Sequence, residues 1–218
     1  MKIAVFDMDG TAVNTIDDVL DCFNGALKFY GFPPHSKESF SRLVGGDLET
    51  IVSGLIPQGN RTRENIDNVK TLYRKLYLES DKPNTRAYDG IIELMQELKS
   101  KGVKVAINTN KGQALLDGML DKVFPAGLID SAVGYLETRP SKPDPYGVNL
   151  ICKECGCDVK DAVYIGDGMT DIKTAANCNI PVVLALWGQC TKEALDDPHV
   201  NFKAQDAAEL REILLNLL

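Results

Sequence analysis

The sequence predicts an α/β protein, a parallel sheet covered on both faces by helices and interrupted near its start by an all-helical insertion. Three observations carry this. Short apolar runs alternate with stretches of helical spacing over most of the chain, the pattern of strand–helix–strand units. Residues 15–81 show helical spacing and no convincing strand. Several of the apolar runs end in acidic, hydroxyl or amide residues, where open parallel sheets bind ligands.

The elements follow in order. Ile3-Ala4-Val5-Phe6 reads as a buried strand. Thr15 is placed to cap a helix whose N-terminus Asp18 favours electrostatically. Val19, Cys22, Phe23, Ala26, Leu27 and Tyr30, then Ile66, Val69, Leu72, Tyr73 and Leu76, recur at helical spacing. Breakers at Gly31-Phe32-Pro33-Pro34, Gly45-Gly46 and Pro57-Gln58-Gly59 divide this stretch into four or five short helices. After Pro83, a helix over 91–101 is stopped by Gly102 and followed by the strand Val103–Ile107. A helix at 113–122, a strand at 132–136, a helix at about 144–154 ending near Gly156, and a strand at 162–165 come next. A helix at 170–178, the strand 181–186, an edge strand at 200–202 and the helix 207–217 close the chain. The expected domains are therefore a core of residues 1–14 with 82–218 and an insertion of 15–81.

At 218 residues and 44% apolar, the chain has material for one large core or two modest ones. Its net charge of −7 argues against a generic nucleic-acid binder, which would carry a basic face. No apolar run is long enough to span a bilayer, so no membrane role is expected. The N-terminus reads as strand rather than as a targeting signal, and the expected compartment is the cytoplasm. Cys152, Cys155 and Cys157 lack the paired spacings and neighbouring histidines of a zinc site and read as reduced thiols packed under a helix.

Four segments carry chemistry. Asp7-Met8-Asp9-Gly10-Thr11 follows the first strand. Its two carboxylates can hold a hard cation through oxygen, and one can attack an electrophile such as phosphorus. Gly10 lets the backbone turn away, and Thr11 offers a hydroxyl to fix the loop. Taken alone, the segment is also what an Asx/Gly turn looks like. Asn108-Thr109-Asn110-Lys111 follows the strand at 103–107. Thr109 is suited to bind phosphate or to cap the next helix. Lys142 stands in the proline-pinned loop Arg139–Pro145 and alone would read as a solvated surface lysine. Gly166-Asp167-Gly168-Met169-Thr170-Asp171 follows the strand at 162–165, where Asp171 doubles as a first-turn helix acid.

Taken together and in this order, the four segments resemble the motifs of the haloacid dehalogenase superfamily of phosphohydrolases. Asp7 and Asp9 match the first motif, Thr109 the second, Lys142 the third, and Asp167 with Asp171 the fourth. The resemblance implies a Rossmann-like three-layer core with residues 15–81 as its helical cap. It implies that Asp7 attacks phosphorus to form an aspartyl-phosphate and that Asp9 acts as acid and then base. Magnesium would be held by Asp7, the Asp9 backbone carbonyl and Asp167. Gly10, Thr11, Thr109, Asn110 and Lys142 would bind the phosphoryl group, and Asp171 would support the site from behind. Asp9 favours phosphate esters over carbon–halogen bonds within the superfamily.

Thr109-Asn110-Lys111, Arg139–Pro145 and Trp187-Gly188 look most like phosphoglycolate phosphatases, although Asn14 and Cys155-Gly156-Cys157 depart from that group. The implied partner is a small phosphorylated molecule, met by a monomer or weak dimer. Arg42 and the loop Gly45-Gly46-Asp47 are the cap residues expected to meet the leaving group. A sugar phosphomutase resembling β-phosphoglucomutase, a pyrophosphatase and a non-catalytic binding protein stand as alternatives.

Overall fold

The structure is a computed structural model that describes residues 1–44 and 47–218. In chain order the elements are β1 (Ile3–Phe6), β2 (Val13–Asn14), α1 (Ile16–Phe29), α2 (Lys37–Ser41), α3 (Leu48–Leu55) and α4 (Arg63–Glu79). Then come β3 (Arg86–Ala87), α5 (Ile91–Ser100), β4 (Lys104–Gly112), α6 (Gln113–Val123), β5 (Ser131–Tyr135) and α7 (Tyr146–Cys155). The chain closes with β6 (Ala162–Gly166), α8 (Met169–Cys178), β7 (Val182–Ala185), α9 (Lys192–Asp196), β8 (Phe202–Ala204) and α10 (Ala207–Leu217). Two compact units result, one of residues 1–14 with 86–218, the other of residues 15–85.

The larger unit is built on a six-stranded sheet in the order β5-β4-β1-β6-β7-β8, with every pairing parallel. All four residues of β1 are fully buried, and successive strand side chains point to opposite faces, so both faces of the sheet are covered. The chain leaves central β1 toward β4 and β5 on one side and toward β6, β7 and β8 on the other. The C-terminal ends of β1, β4 and β6 therefore flank the point where strand order reverses, the crevice that open α/β sheets use for ligands.

Several expectations need correction. β4 does not stop at Ile107 but runs to Gly112. It pairs Asn108 with Val133 and then Gly112 with Tyr135, so residues 109–111 bulge opposite Gly134 alone. The edge strand lies at 202–204 rather than 200–202, because the Asn201 side chain instead accepts a hydrogen bond from Val182 N at 2.9 Å. The helix expected from Asp144 begins at Tyr146, and Asp144 turns its carboxylate back onto Tyr146 N at 2.8 Å. The two-residue pair β2–β3 and the short helix α9 were too brief to leave a periodic signal.

Among its described residues the smaller unit is helical, with four α-helices and a 3-10 turn at Gln58–Asn60. Its core stacks Phe23 of α1 on Tyr73 of α4, ring centroids 3.8 Å apart, with Phe40 tilted against Phe23 at 5.6 Å. Thr15 makes no side-chain capping bond to α1, contrary to the expectation. Asp18 is buried and accepts from Asn84 N (3.0 Å), Asn84 Nδ2 (3.0 Å) and Thr85 Oγ1 (2.6 Å), tying α1 to the end of the unit. Gly45 and Gly46 lie outside the described residues. No helix among the described residues is long and apolar enough to cross a membrane.

Candidate active site

The mouth of the sheet begins one residue past β1. Asp7 N donates to Ile165 O of β6 at 2.8 Å, which extends the pairing by one step and fixes where the Asp7 side chain leaves the sheet. The chain then folds tightly back. Gly10 N donates to Val13 O at 3.0 Å and Val13 N to Met8 O at 2.8 Å. Gly10 has φ +85, and a Cβ there would lie 2.4 Å from Asp167 Oδ2, so both backbone and space require glycine.

Lys142 joins three of the segments. Its ammonium is 2.8 Å from Asp7 Oδ1 and 2.7 Å from Asp171 Oδ1, and its side chain is 5% exposed. The Asn110 amide clamps its backbone, with Oδ1 accepting from Lys142 N at 2.9 Å and Nδ2 donating to Lys142 O at 3.2 Å. A loop lysine is thereby made a fixed buried cation. Asp171 serves two purposes from the first turn of α8. Its Oδ2 accepts from Asp167 N (3.2 Å) and Gly168 N (3.1 Å), while Oδ1 holds Lys142. Asp167 accepts from Thr11 Oγ1 at 3.2 Å and from Gln189 N.

The carboxylates of Asp7, Asp167 and Asp171 place one oxygen each within 4.8 Å of one another, and all three residues are buried. Burial pushes the Asp7 carboxyl up to about 8, an effect that Lys142 opposes and the charges of Asp171 and Asp167 reinforce. Burial and then the Asp171 charge push Asp167 up to about 7. Burial disfavours the Lys142 ammonium, but Asp171 and Asp7 outweigh it and hold Lys142 well above its ordinary value. Fully ionised, three carboxylates against one ammonium leave two negative charges in a buried space. An all-oxygen donor set with that surplus fits a hard divalent cation.

The other expected residues are placed as follows. Asp9, its side chain 31% exposed, receives Lys111 Nζ on both oxygens, at 2.9 and 3.1 Å. Thr109 is buried in the β4 bulge, where its Oγ1 accepts from Lys111 N at 3.2 Å. Thr109 does not cap α6, which starts four residues later after Gly112. Arg42 ends α2 in the helical unit, exposed and paired with Glu38.

Sequence reasoning gave no role to Lys111, although the lysine two residues past Thr109 was visible in the second motif. It also gave none to Gln189, whose backbone N–H on Asp167 leaves no trace in residue type. Trp187 Nε1 donates to Thr11 O at 3.0 Å. A Cβ on Gly188 would lie 2.4 Å from both Asp167 Oδ2 and Gly10 O, so the loop after β7 closes against the site.

Residues 4–185 match the model of the haloacid dehalogenase-like hydrolases. A phosphoglycolate phosphatase of Aquifex aeolicus is 29% identical over 188 residues, covering 86% of this chain and 86% of its own. The crystal structure of a candidate phosphoglycolate phosphatase from Lactobacillus delbrueckii subsp. bulgaricus superposes with a TM-score of 0.90 at 26% identity, covering 98% of this chain and 99% of its own. A haloacid dehalogenase-like family hydrolase from Streptococcus pneumoniae gives 0.86 at 20% identity, a likeness of fold, over 100% of this chain and 99% of its own.

Proposed function

The chain belongs to the haloacid dehalogenase-like hydrolases and is an enzyme, and on that footing we propose that it is a magnesium-dependent phosphatase acting on a small phosphomonoester. The observation that carries this reading is the buried Asp7 carboxylate, held by Lys142 beside Asp167 and Asp171. The relatives named phosphoglycolate phosphatases make a short carboxylated phosphomonoester the first substrate to try.

In this mechanism an Asp7 oxygen forms a bond to phosphorus as the ester P–O bond breaks, leaving an aspartyl-phosphate and an alkoxide. Asp9 gives its proton to the alkoxide, then takes one from the water that attacks the aspartyl-phosphate. That attack releases phosphate and restores the Asp7 carboxylate. Lys142 offsets the repulsion between Asp7 and the incoming dianion. Thr109 and the Asn110 N–H bind phosphoryl oxygens, Asp171 keeps Lys142 in place, and Gly10 and Thr11 shape the wall beside Asp167. Magnesium held by Asp7, Asp167 and the Asp9 backbone carbonyl would neutralise phosphoryl charge when bound. Arg42 belongs to this proposal as a partner for a substrate carboxylate.

The test is phosphate release with magnesium from phosphoglycolate, sugar phosphates, nucleotides and pyrophosphate. Asp7→Asn should lower turnover by roughly 10³-fold or more on every accepted compound. Turnover that survives the substitution would rule out Asp7 as nucleophile. Product analysis separates hydrolysis from an isomerised sugar phosphate or two phosphates.

A further inference from the structure

The geometry points to Lys111 as a positioning residue that holds the Asp9 carboxylate in its working orientation, an inference that rests on the phosphatase reading above. Three observations converge on it. The first is the bulge. β4 carries three residues, Thr109, Asn110 and Lys111, against the single Gly134 of β5. Such bulges re-aim side chains beside active sites. This one sends Thr109 back onto the strand, Asn110 onto the Lys142 backbone and Lys111 onto Asp9.

The second is the asymmetry of burial within the pair. The Lys111 side chain is 4% exposed and the Asp9 side chain 31%. A surface ion pair constrains little because both partners move. Here the lysine is fixed in the protein, so the contact anchors the more exposed carboxylate. The third is that both Asp9 oxygens are engaged, at 2.9 and 3.1 Å. One ammonium lying between the two oxygens fixes where the carboxylate group sits, because both contacts are lost if the side chain swings away. Proton transfer needs the acid within hydrogen-bond reach of the oxygen it serves, so lost orientation lowers rate even when substrate still binds.

The site thus divides its buried cations. Lys142 serves Asp7 and Asp171, and Lys111 serves Asp9. The end of β4 joins the two, because Asn110 holds the Lys142 backbone and the next residue holds Asp9.

The experiment is a double-mutant cycle on the full chain with magnesium and p-nitrophenyl phosphate, using Lys111→Met, Asp9→Asn and both together, with Lys111→Arg as the conservative variant and thermal melts as the control for folding. Lys111→Met should lower kcat by about 10- to 100-fold while KM stays within about three-fold. In the Asp9→Asn background the same substitution should change kcat by less than about three-fold, since a residue acting through Asp9 has nothing left to act on. Lys111→Arg, whose guanidinium can likewise engage both oxygens of a carboxylate, should recover most of the loss. Wild-type kcat in Lys111→Met overturns the inference, and so does an undiminished loss in the Asp9→Asn background. If the wild-type protein itself turns over no faster than Asp7→Asn, the phosphatase reading has failed and this inference falls with it.

Discussion

Asp130 illustrates how one side chain can hold several elements together. It sits one residue before β5, and its carboxylate accepts from Val105 N at 3.0 Å and from Lys104 Nζ at 3.0 Å, with Lys99 Nζ at 2.9 Å. Burial raises its carboxyl, but the Val105 N–H and the two ammoniums outweigh that, and the net position is below the ordinary carboxylate range. A depressed folded pKa means stability that is complete above the unfolded value, about 3.9, and lost as pH falls through the folded one. Asp130→Asn should therefore cost about 1–3 kcal/mol at neutral pH. The gap in Tm between variant and wild type should narrow as pH falls below about 3.9 and through the folded value. A gap that stays constant on acidification would refute the account. Asp18 is a second case, read from sequence as a helix-end acid and found receiving three hydrogen bonds from Asn84 and Thr85.

At the scale of elements, the bulge in β4 separates this sheet from a plain parallel one. Its support is Gly134, where a Cβ would lie 2.7 Å from Lys111 O and 3.0 Å from Gln113 Cα. Both are backbone atoms, so the strand itself would have to move. The Gln113 Oε1 that accepts from Gly134 N at 2.8 Å would be pulled with it. Gly134→Ala should destabilise by about 1–3 kcal/mol, as overpacking does. It should also lower turnover by shifting Thr109, Asn110 and Lys111 together. A variant that melts and turns over like the wild type would show that the bulge tolerates displacement.

At the scale of the whole molecule, the charge surplus around Asp7, Asp167 and Asp171 is a stability question as well as a catalytic one. A cation that binds the native site and not the unfolded chain stabilises by mass action, about 2.7 kcal/mol at a hundred times its Kd. For a chain of this size that amounts to a rise in Tm of roughly 5–10 °C. Magnesium should produce such a rise, and Asp167→Asn should remove most of it. Equal shifts in both proteins would place the ion elsewhere.

The parallel α/β architecture was legible because strand and helix periods are local properties of the chain. The strand-end segments were legible because parallel strands bring C-terminal ends to one edge whatever the details of packing. Asp7, Asp167 and Asp171 could therefore be named from the sequence, Lys142 only through the resemblance of the four segments together, and the structure places the four side by side. Only the tertiary structure decided which cation faces which carboxylate. Lys111 meets Asp9 across 102 positions of sequence, the Gln189 N–H meets Asp167 across 22, and Asp18 closes on Thr85 across 67. Such pairings depend on a bulge, a loop closure and side-chain reach, and none of these leaves a periodic mark in the sequence. The length of β4 belongs with them, because pairing resumed after Asn108 only where Gly134 let the two backbones approach.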